Sequence, residues 1–273
     1  MKKLMLLTGI LSACALSQAL PLFNVSIEAG GVEQDPSGIV SYQAKGANDY
    51  LDLKNDAHFS QKTQPYIGVR ITNSLPILPN IKLDYMPMKF SGSGTLNRQI
   101  TFGGTTYQAN ANFNLNAKMN RFDILAYYHL PFITAATKDM LKVRFGLNVR
   151  VVDFSETFTG NNATINGQPV GAGGYYTESK SLTVPVPMAH LGVSISPIKQ
   201  VSLVGDINYV SYGSNDYYNY NAGLRLSPVG LFKSAIVPFI QVGYRYEKLK
   251  IDQSSVYADV KVKGPYALIG VEF

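Results

Sequence analysis

The sequence predicts an all-β protein: one transmembrane antiparallel β-barrel of up-and-down topology with about ten strands, eight and twelve being the alternative even counts. Three observations predict it. The first is strict alternation, clearest in Leu141–Val151, L-K-V-R-F-G-L-N-V-R-V, where every odd position is apolar and the even ones are Lys142, Arg144, Gly146, Asn148 and Arg150. A period of two gives a strand with one oily and one polar face. The second is length, since soluble strands average roughly 5–6 residues whereas a tilted membrane strand needs about 9–11. The third is a rhythm of connections, short then long, as in barrels whose short turns are periplasmic.

The chain opens with a candidate secretory signal at residues 1–19. Lys2 and Lys3 supply the charged start, Leu4–Leu16 the apolar stretch and Ser17-Gln18-Ala19 the small residues of a cleavage site. Cleavage after Ala19 leaves residues 20–273 as the barrel. Leu11-Ser12-Ala13-Cys14 competes as a lipoprotein box with lipidation at Cys14, although its apolar stretch is short. With cleavage after Ala19 the single cysteine departs, and no disulfide staples the mature chain.

The strands follow in order. Phe23–Ala29 places Phe23, Val25, Ile27 and Ala29 on one face. Pro65–Ile71 does so with Ile67, Val69 and Ile71, and Ile81–Pro87 with Ile81, Leu83 and Tyr85. Phe122–Leu130 uses Phe122, Ile124, Ala126, Tyr128 and Leu130, and Leu141–Val151 is the fifth strand. Leu191, Val193 and Ile195 mark the sixth, weakened by Pro185 and Pro187, which donate no ladder hydrogen bond. Val201–Tyr209, Tyr218–Leu226, Ile240–Tyr246 and Ala267–Phe273 complete the set.

Ser74–Asn80, Thr134–Met140, Pro197–Gln200 and Pro228–Ser234 read as short turns, and Asp35–Lys62 and Ser155–Ser181 as long polar loops. Gly213–Asn215 is an exception, short on the long-loop side. Two segments break parity. Apolar residues are odd in Phe113–Met119 but even from Phe122, and even in Val256–Val262 but odd from Pro265. Either a bulge or a strand extended beyond the membrane explains each switch.

Composition excludes some classes. Hydrophobic residues make up 46% of 273 while mean hydropathy is near zero, as interleaving requires. Net charge falls from +6 to +4 when Lys2 and Lys3 leave, and no basic run suggests nucleic acid. Tyr (18) and Phe (13) are abundant enough to furnish interfacial girdles.

Gly264-Pro-Tyr-Ala-Leu-Ile-Gly-Val-Glu-Phe273 resembles the C-terminal strand of Gram-negative outer-membrane proteins. The resemblance makes Phe273, with Val271 and Ile269, a signal for the barrel-assembly machinery. Glu28-Ala-Gly-Gly-Val32, Phe122-Asp-Ile-Leu-Ala-Tyr-Tyr128, Phe145-Gly-Leu-Asn-Val149 and Gly243-Tyr-Arg-Tyr246 extend it to a family of uncharacterised outer-membrane β-barrel proteins, distantly similar to OmpW-like small barrels. It implies the outer-membrane bilayer as the setting and carries no activity.

The polar parity collects Glu28, Asp84, Asp123, Asp206, Glu247 and Glu272 with Arg70, Lys82, Arg121, Lys142, Arg144, Arg150, Arg225 and Arg245. About ten strands enclose a lumen just above the size that side chains fill. Such charges pair, because unpaired buried charge is costly. A network plugging the lumen is the favoured expectation, and a narrow conduit for small polar solutes its rival. Glycines on the same parity, Gly68 and Gly192 among them, make room for long side chains.

No metal or cofactor spacing appears, and the expected function is non-enzymatic: a structural or surface role, or passive conduction. The alternative is a lipid-modifying hydrolase using His58 and Ser60, since H-x-S is similar to the pair of outer-membrane lipid A deacylases. The fragment has no acidic partner nearby. His129 and His190 read as inward lumen residues.

Overall fold

The computed structural model describes residues 22–43, 49–171, 174–228, 236–253 and 255–273. The signal at residues 1–19, with Cys14 and the site after Ala19, lies outside the described residues, as does most of the 228–234 turn.

The chain forms β1 (Phe23–Tyr42), β2 (Leu51–Asp52), β3 (Lys62–Asn73), β4 (Asn80–Met86), β5 (Lys89–Thr95), β6 (Ile100–Phe102), β7 (Thr105–Tyr107) and β8 (Asn112–His129). A short helix α1 (Pro131–Ala136) follows, then β9 (Leu141–Gly160), β10 (Ala163–Ile165), β11 (Gln168–Pro169) and β12 (Tyr176–Ile198). Four more strands complete it: β13 (Val201–Tyr212), β14 (Asn215–Leu226), β15 (Val237–Gln253) and β16 (Val256–Glu272). Successive antiparallel pairings run from β1 through β3, β4, β8, β9 and β12 to β16, and β16 pairs with β1 to close a barrel of 10 staves. β4 and β5 are one stave, because both pair with β8 in a single register (Met86 with Arg121, Lys89 with Lys118) across Pro87-Met88. Each of the ten expected strands falls on one stave, two of them overrunning its end by a single residue, Leu130 and Phe273.

The alternation decides what faces out. Ile269 is 68% exposed and Leu147 53%, whereas Arg150 is fully enclosed. The outward positions of Phe122–Tyr128, Phe145–Val151, Leu191–Ile195 and Ala267–Val271 are all uncharged. A closed sheet that is apolar outside and charged inside belongs in a bilayer, where every backbone group must be satisfied by its neighbours.

The strands outrun the bilayer. β12 has 23 residues and β9 has 20, about twice what a tilted crossing needs. On β8 the odd residues point inward along the whole strand, from Phe113 and Leu115 to Asp123 and Tyr127. On β16 the even ones do, from Ala258 and Val262 to Tyr266 and Leu268. Pairing of β8 with β9 and of β15 with β16 runs without a shift. The parity switches are therefore not bulges. The strand keeps its register while its surroundings change, from lipid outside and charge inside to water outside and an apolar core inside.

This corrects the reading of Asp35–Lys62 and Ser155–Ser181 as loops. Strand continues to Tyr42 and resumes at Lys62, and continues to Gly160 and resumes at Tyr176. Their outward side chains are polar because they face water. The wall is lower on one side, where β13 and β14 turn over at Tyr212–Asn215, which accounts for the short connection at Gly213. β12 pairs with β13 only from Ala189 onward, so among the described residues its stretch Tyr176–Met188 is bonded on the β9 side alone. Pro185 and Pro187 lie on this half-free stretch, where a missing N–H is tolerated.

The tall end is filled. Leu51, Leu53, Ala57 and Phe59 fold inward from the first long connection, and the small sheet of β6, β7, β10 and β11 packs beside them. Phe158, with no exposed surface, lies at 5.2 Å from Phe102, 4.6 Å from Tyr107 and 5.1 Å from Phe113, ring centre to ring centre. Met86, Met88, Tyr66 and Leu268 form the underside of this plug.

Candidate functional site in the barrel interior

Beneath the plug the inward side chains form a charged layer across the barrel. Arg150 on β9 donates from Nε to Asp123 Oδ1 at 2.7 Å and from Nη2 to Asn219 Oδ1 at 2.7 Å. Its Nη1 lies 3.4 Å from Glu247 Oε1, and its guanidinium 4.9 Å from the Tyr217 ring centre. Arg121 pairs with Glu247, which also accepts from the Tyr217 hydroxyl. Asn148 donates to Asp123 at 2.8 Å. Two guanidiniums and two carboxylates thus balance, each at most 4% exposed. Such a layer holds because excellent geometry offsets the loss of hydration.

A polar chain leads away from it. Asn208 donates to Asn219 at 3.2 Å and accepts from His190 Nδ1 at 2.9 Å, while His190 Nε2 stands 3.6 Å from Asp206. Arg144 pairs with Asp206 at 2.9 Å. Gly192 makes this pair possible, since a Cβ there would lie 2.5 Å from Asp206 Oδ1 and 2.7 Å from Arg144 Nε. A second cluster occupies the opposite wall. Lys82 lies 3.1 Å from Glu28 and 3.2 Å from Asp84. The Tyr66 hydroxyl sits between those carboxylates, giving its one proton to either and accepting from Lys82 at 3.0 Å. Gly68 leaves the space, because a Cβ would come within 2.7 Å of Asp84 Oδ1. Nearer the short turns, Arg225 pairs with Glu272 at 2.7 Å and covers the Phe239 ring at 3.7 Å.

Of the fourteen inward residues singled out by parity, the structure brings eleven into ion pairs with one another. Arg70, Lys142 and Arg245 make no such pair among the described residues. Tyr66, Tyr217, Asn208 and Asn219 were not singled out, yet they share the inward parity, and polarity on that parity was the signal that marks them. Below the charged layer a cavity of about 670 Å³ reaches the short-turn end, where Lys138–Met140 and Lys199 line its rim.

The other sequence candidates lie elsewhere. His58 and Ser60 are exposed in the long-loop half, on either side of buried Phe59. His58 has φ of 53° and hydrogen-bonds from Nδ1 to the Ser93 carbonyl at 2.9 Å, which turns that nitrogen to a backbone acceptor rather than a carboxylate. Phe273 donates its N–H to Val25 O at 2.8 Å, tying the last residue to β1. Among the described residues no group of His, Cys, Asp and Glu is arranged to hold a metal.

No family model matches the chain, and no curated protein matches it. Among solved structures it is similar to the outer-membrane protease OmpT from Escherichia coli, at 12% identity over 92% of this chain and 96% of that one, with a TM-score of 0.46. It is also similar to the translocator domain of the autotransporter NalP from Neisseria meningitidis, at 11% identity over 97% and 94%, TM-score 0.38. A third is Ail, the attachment invasion locus protein of Yersinia pestis, at 9% identity over 92% and 99%, TM-score 0.33.

Proposed function

We propose that this protein is a non-enzymatic outer-membrane barrel with a closed lumen, acting in a structural or surface role rather than as a conduit. One observation carries the reading: two seals lie in series, the balanced layer of Arg121, Arg150, Asp123 and Glu247 and the apolar plug around Phe158. Fully desolvated, hydrogen-bonded ion pairs leave no hydrated path for a solute. The apolar belt and the resemblance of β16 to outer-membrane C-terminal strands support the location. In that setting the short turns face the periplasm and the plug faces outward, and the barrel-assembly machinery reads the strand ending at Phe273. The likeness to OmpW-like small barrels adds architecture and no activity.

The refolded protein in a planar bilayer tests this. No steady conductance is expected, and robust ion-dependent channels would defeat the closed-lumen reading. The hydrolase alternative lacks an acid oriented on His58, so His58→Ala and Ser60→Ala are expected to leave lipid A and phospholipid profiles unchanged. An altered profile would sink the non-enzymatic reading.

A further inference from the structure

The cavity below the charged layer is blind. Its ceiling is the charged layer at Asp123 and Arg150 and, beside them, the underside of the plug at Val32, Tyr66 and Leu268; its mouth is at the short-turn end, and about 670 Å³ falls within the range of small-molecule sites, roughly 300–1,000 Å³. Its wall carries nine Lys and Arg side chains against six carboxylates. Five of those carboxylates are already held: Glu28 and Asp84 by Lys82, Asp123 by Arg150, Asp206 by Arg144 and Glu272 by Arg225. The sixth, Asp139, is exposed in the turn at the rim.

Among the described residues five cations are left over, Lys138 and Lys199 exposed at the rim and Arg70, Lys142 and Arg245 on the wall. The side chains of Arg70 and Lys142 make no ion pair or hydrogen bond among the described residues; Arg70 is half-buried and feels the charges of Glu28 and Asp206 without pairing with either, and Lys142 is exposed toward the mouth. Arg245, deeper in, reaches only Met86 Sδ at 4.0 Å, and its Nε is buried without a partner. Among the described residues His129 Nδ1 is buried without a hydrogen-bond partner, whereas His190 Nε2 already faces Asp206 at 3.6 Å. Arg70 and Arg245 are half-buried, and such charge is weakly screened by salt and costly to leave without a counter-charge. A neutral solute can accept their hydrogen bonds but leaves their charge uncompensated, and a cationic one is repelled.

We propose that this cavity is a binding site for a small multivalent anion of the phosphate type, entering and leaving from the periplasmic side. Guanidinium forks match phosphate oxygens in pairs, and an ammonium adds a point charge. Arg70 and Lys142 hold the anion near the mouth, and Arg245 meets one that reaches the ceiling. The inference goes beyond the closed-lumen reading and is tested separately, since conductance probes the seals and binding probes the cavity.

The test is calorimetric titration of the refolded full barrel in detergent at low salt with inorganic phosphate and with glycerol 3-phosphate, using glycerol and chloride as controls. Saturable binding of either phosphate probe, and neither control, is expected. Tighter binding of glycerol 3-phosphate identifies a phosphorylated small molecule as the ligand class, and equal binding identifies the free ion. Arg70→Gln combined with Lys142→Gln should weaken binding at least about tenfold, the loss of charge-assisted hydrogen bonds. Lys89→Gln, on the outer face, should leave it unchanged, and heat-modifiable gel migration verifies that each variant is folded. If the combined variant does not fold, Arg245→Gln alone is titrated, with a measurable weakening expected. Folded wild-type protein that takes up neither phosphate probe overturns the proposal, and so does affinity unchanged in the folded cavity variants.

Discussion

Glu247 shows what one inward residue does. It takes Arg121, Arg150 and the Tyr217 hydroxyl at once, and it is 3% exposed. Glu247→Ala strands two guanidiniums in a dry layer, and a loss of about 3–5 kcal/mol is expected in urea unfolding from lipid vesicles. Replacing Arg121 and Glu247 together with Met and Leu should recover most of that loss, because uncharged side chains need no partner. Parity found Glu247 because its charge falls on the face of β15 opposite Val242, Tyr244 and Tyr246. It passed over Asn208 and Asn219, since a neutral amide signals little until its partner across the barrel is known. Glu156 differs in setting. It is an inward residue above Val151, the last apolar outward position of β9, at a level where the outward residues face water. Burial there pushes its carboxyl up from 4.5 to about 7. The folded protein then keeps a proton that the unfolded chain has released, so stability falls as pH rises from 4.5 to 7. Glu156→Gln should remove that component, which urea titrations at pH 4.5 and 7.5 of both proteins would reveal.

At the scale of elements, the strands were legible because both faces of each are specified, one by lipid and one by the lumen. A slip of one residue would turn Arg144 and Arg150 into the bilayer, at a cost of roughly 2–4 kcal/mol for a cation at the midplane. Strand ends were not legible. Above the bilayer both faces of Ser155–Gly160 and Tyr176–Ser181 carry polar residues, so an extended strand and a polar loop look the same until the partner is in place. The free side of β12 is an exposed edge, and natural sheets blunt such edges with proline and charge. Pro185, Pro187 and Lys180 are placed to do so. Pro185→Val with Pro187→Val should leave the fold intact and promote association of detergent-solubilised protein, measured by light scattering. An unchanged monomer fraction would show that the prolines have no such role.

At the scale of the molecule, the barrel is two environments stacked on one set of strands, and the proposed closed lumen rests on two seals. Phe158→Ala removes a ring packed against three others and should cost about 3–5 kcal/mol. Conductance should still be absent in a planar bilayer, because the layer of Arg121, Arg150, Asp123 and Glu247 lies beneath. A channel in that variant would mean that the plug alone holds the barrel shut. The sequence by itself determined a barrel of about ten antiparallel strands and which residues face inward, because alternation records local surroundings one residue at a time. Tertiary structure alone decided that Arg150 meets Asp123 and Glu247 while Arg70 and Lys142 meet no carboxylate. It also decided that the first long connection folds inward as part of a plug. Those outcomes depend on the stagger of strands far apart in the chain, such as β8 against β15, and a period of two along one strand carries no information about the height at which another strand passes it.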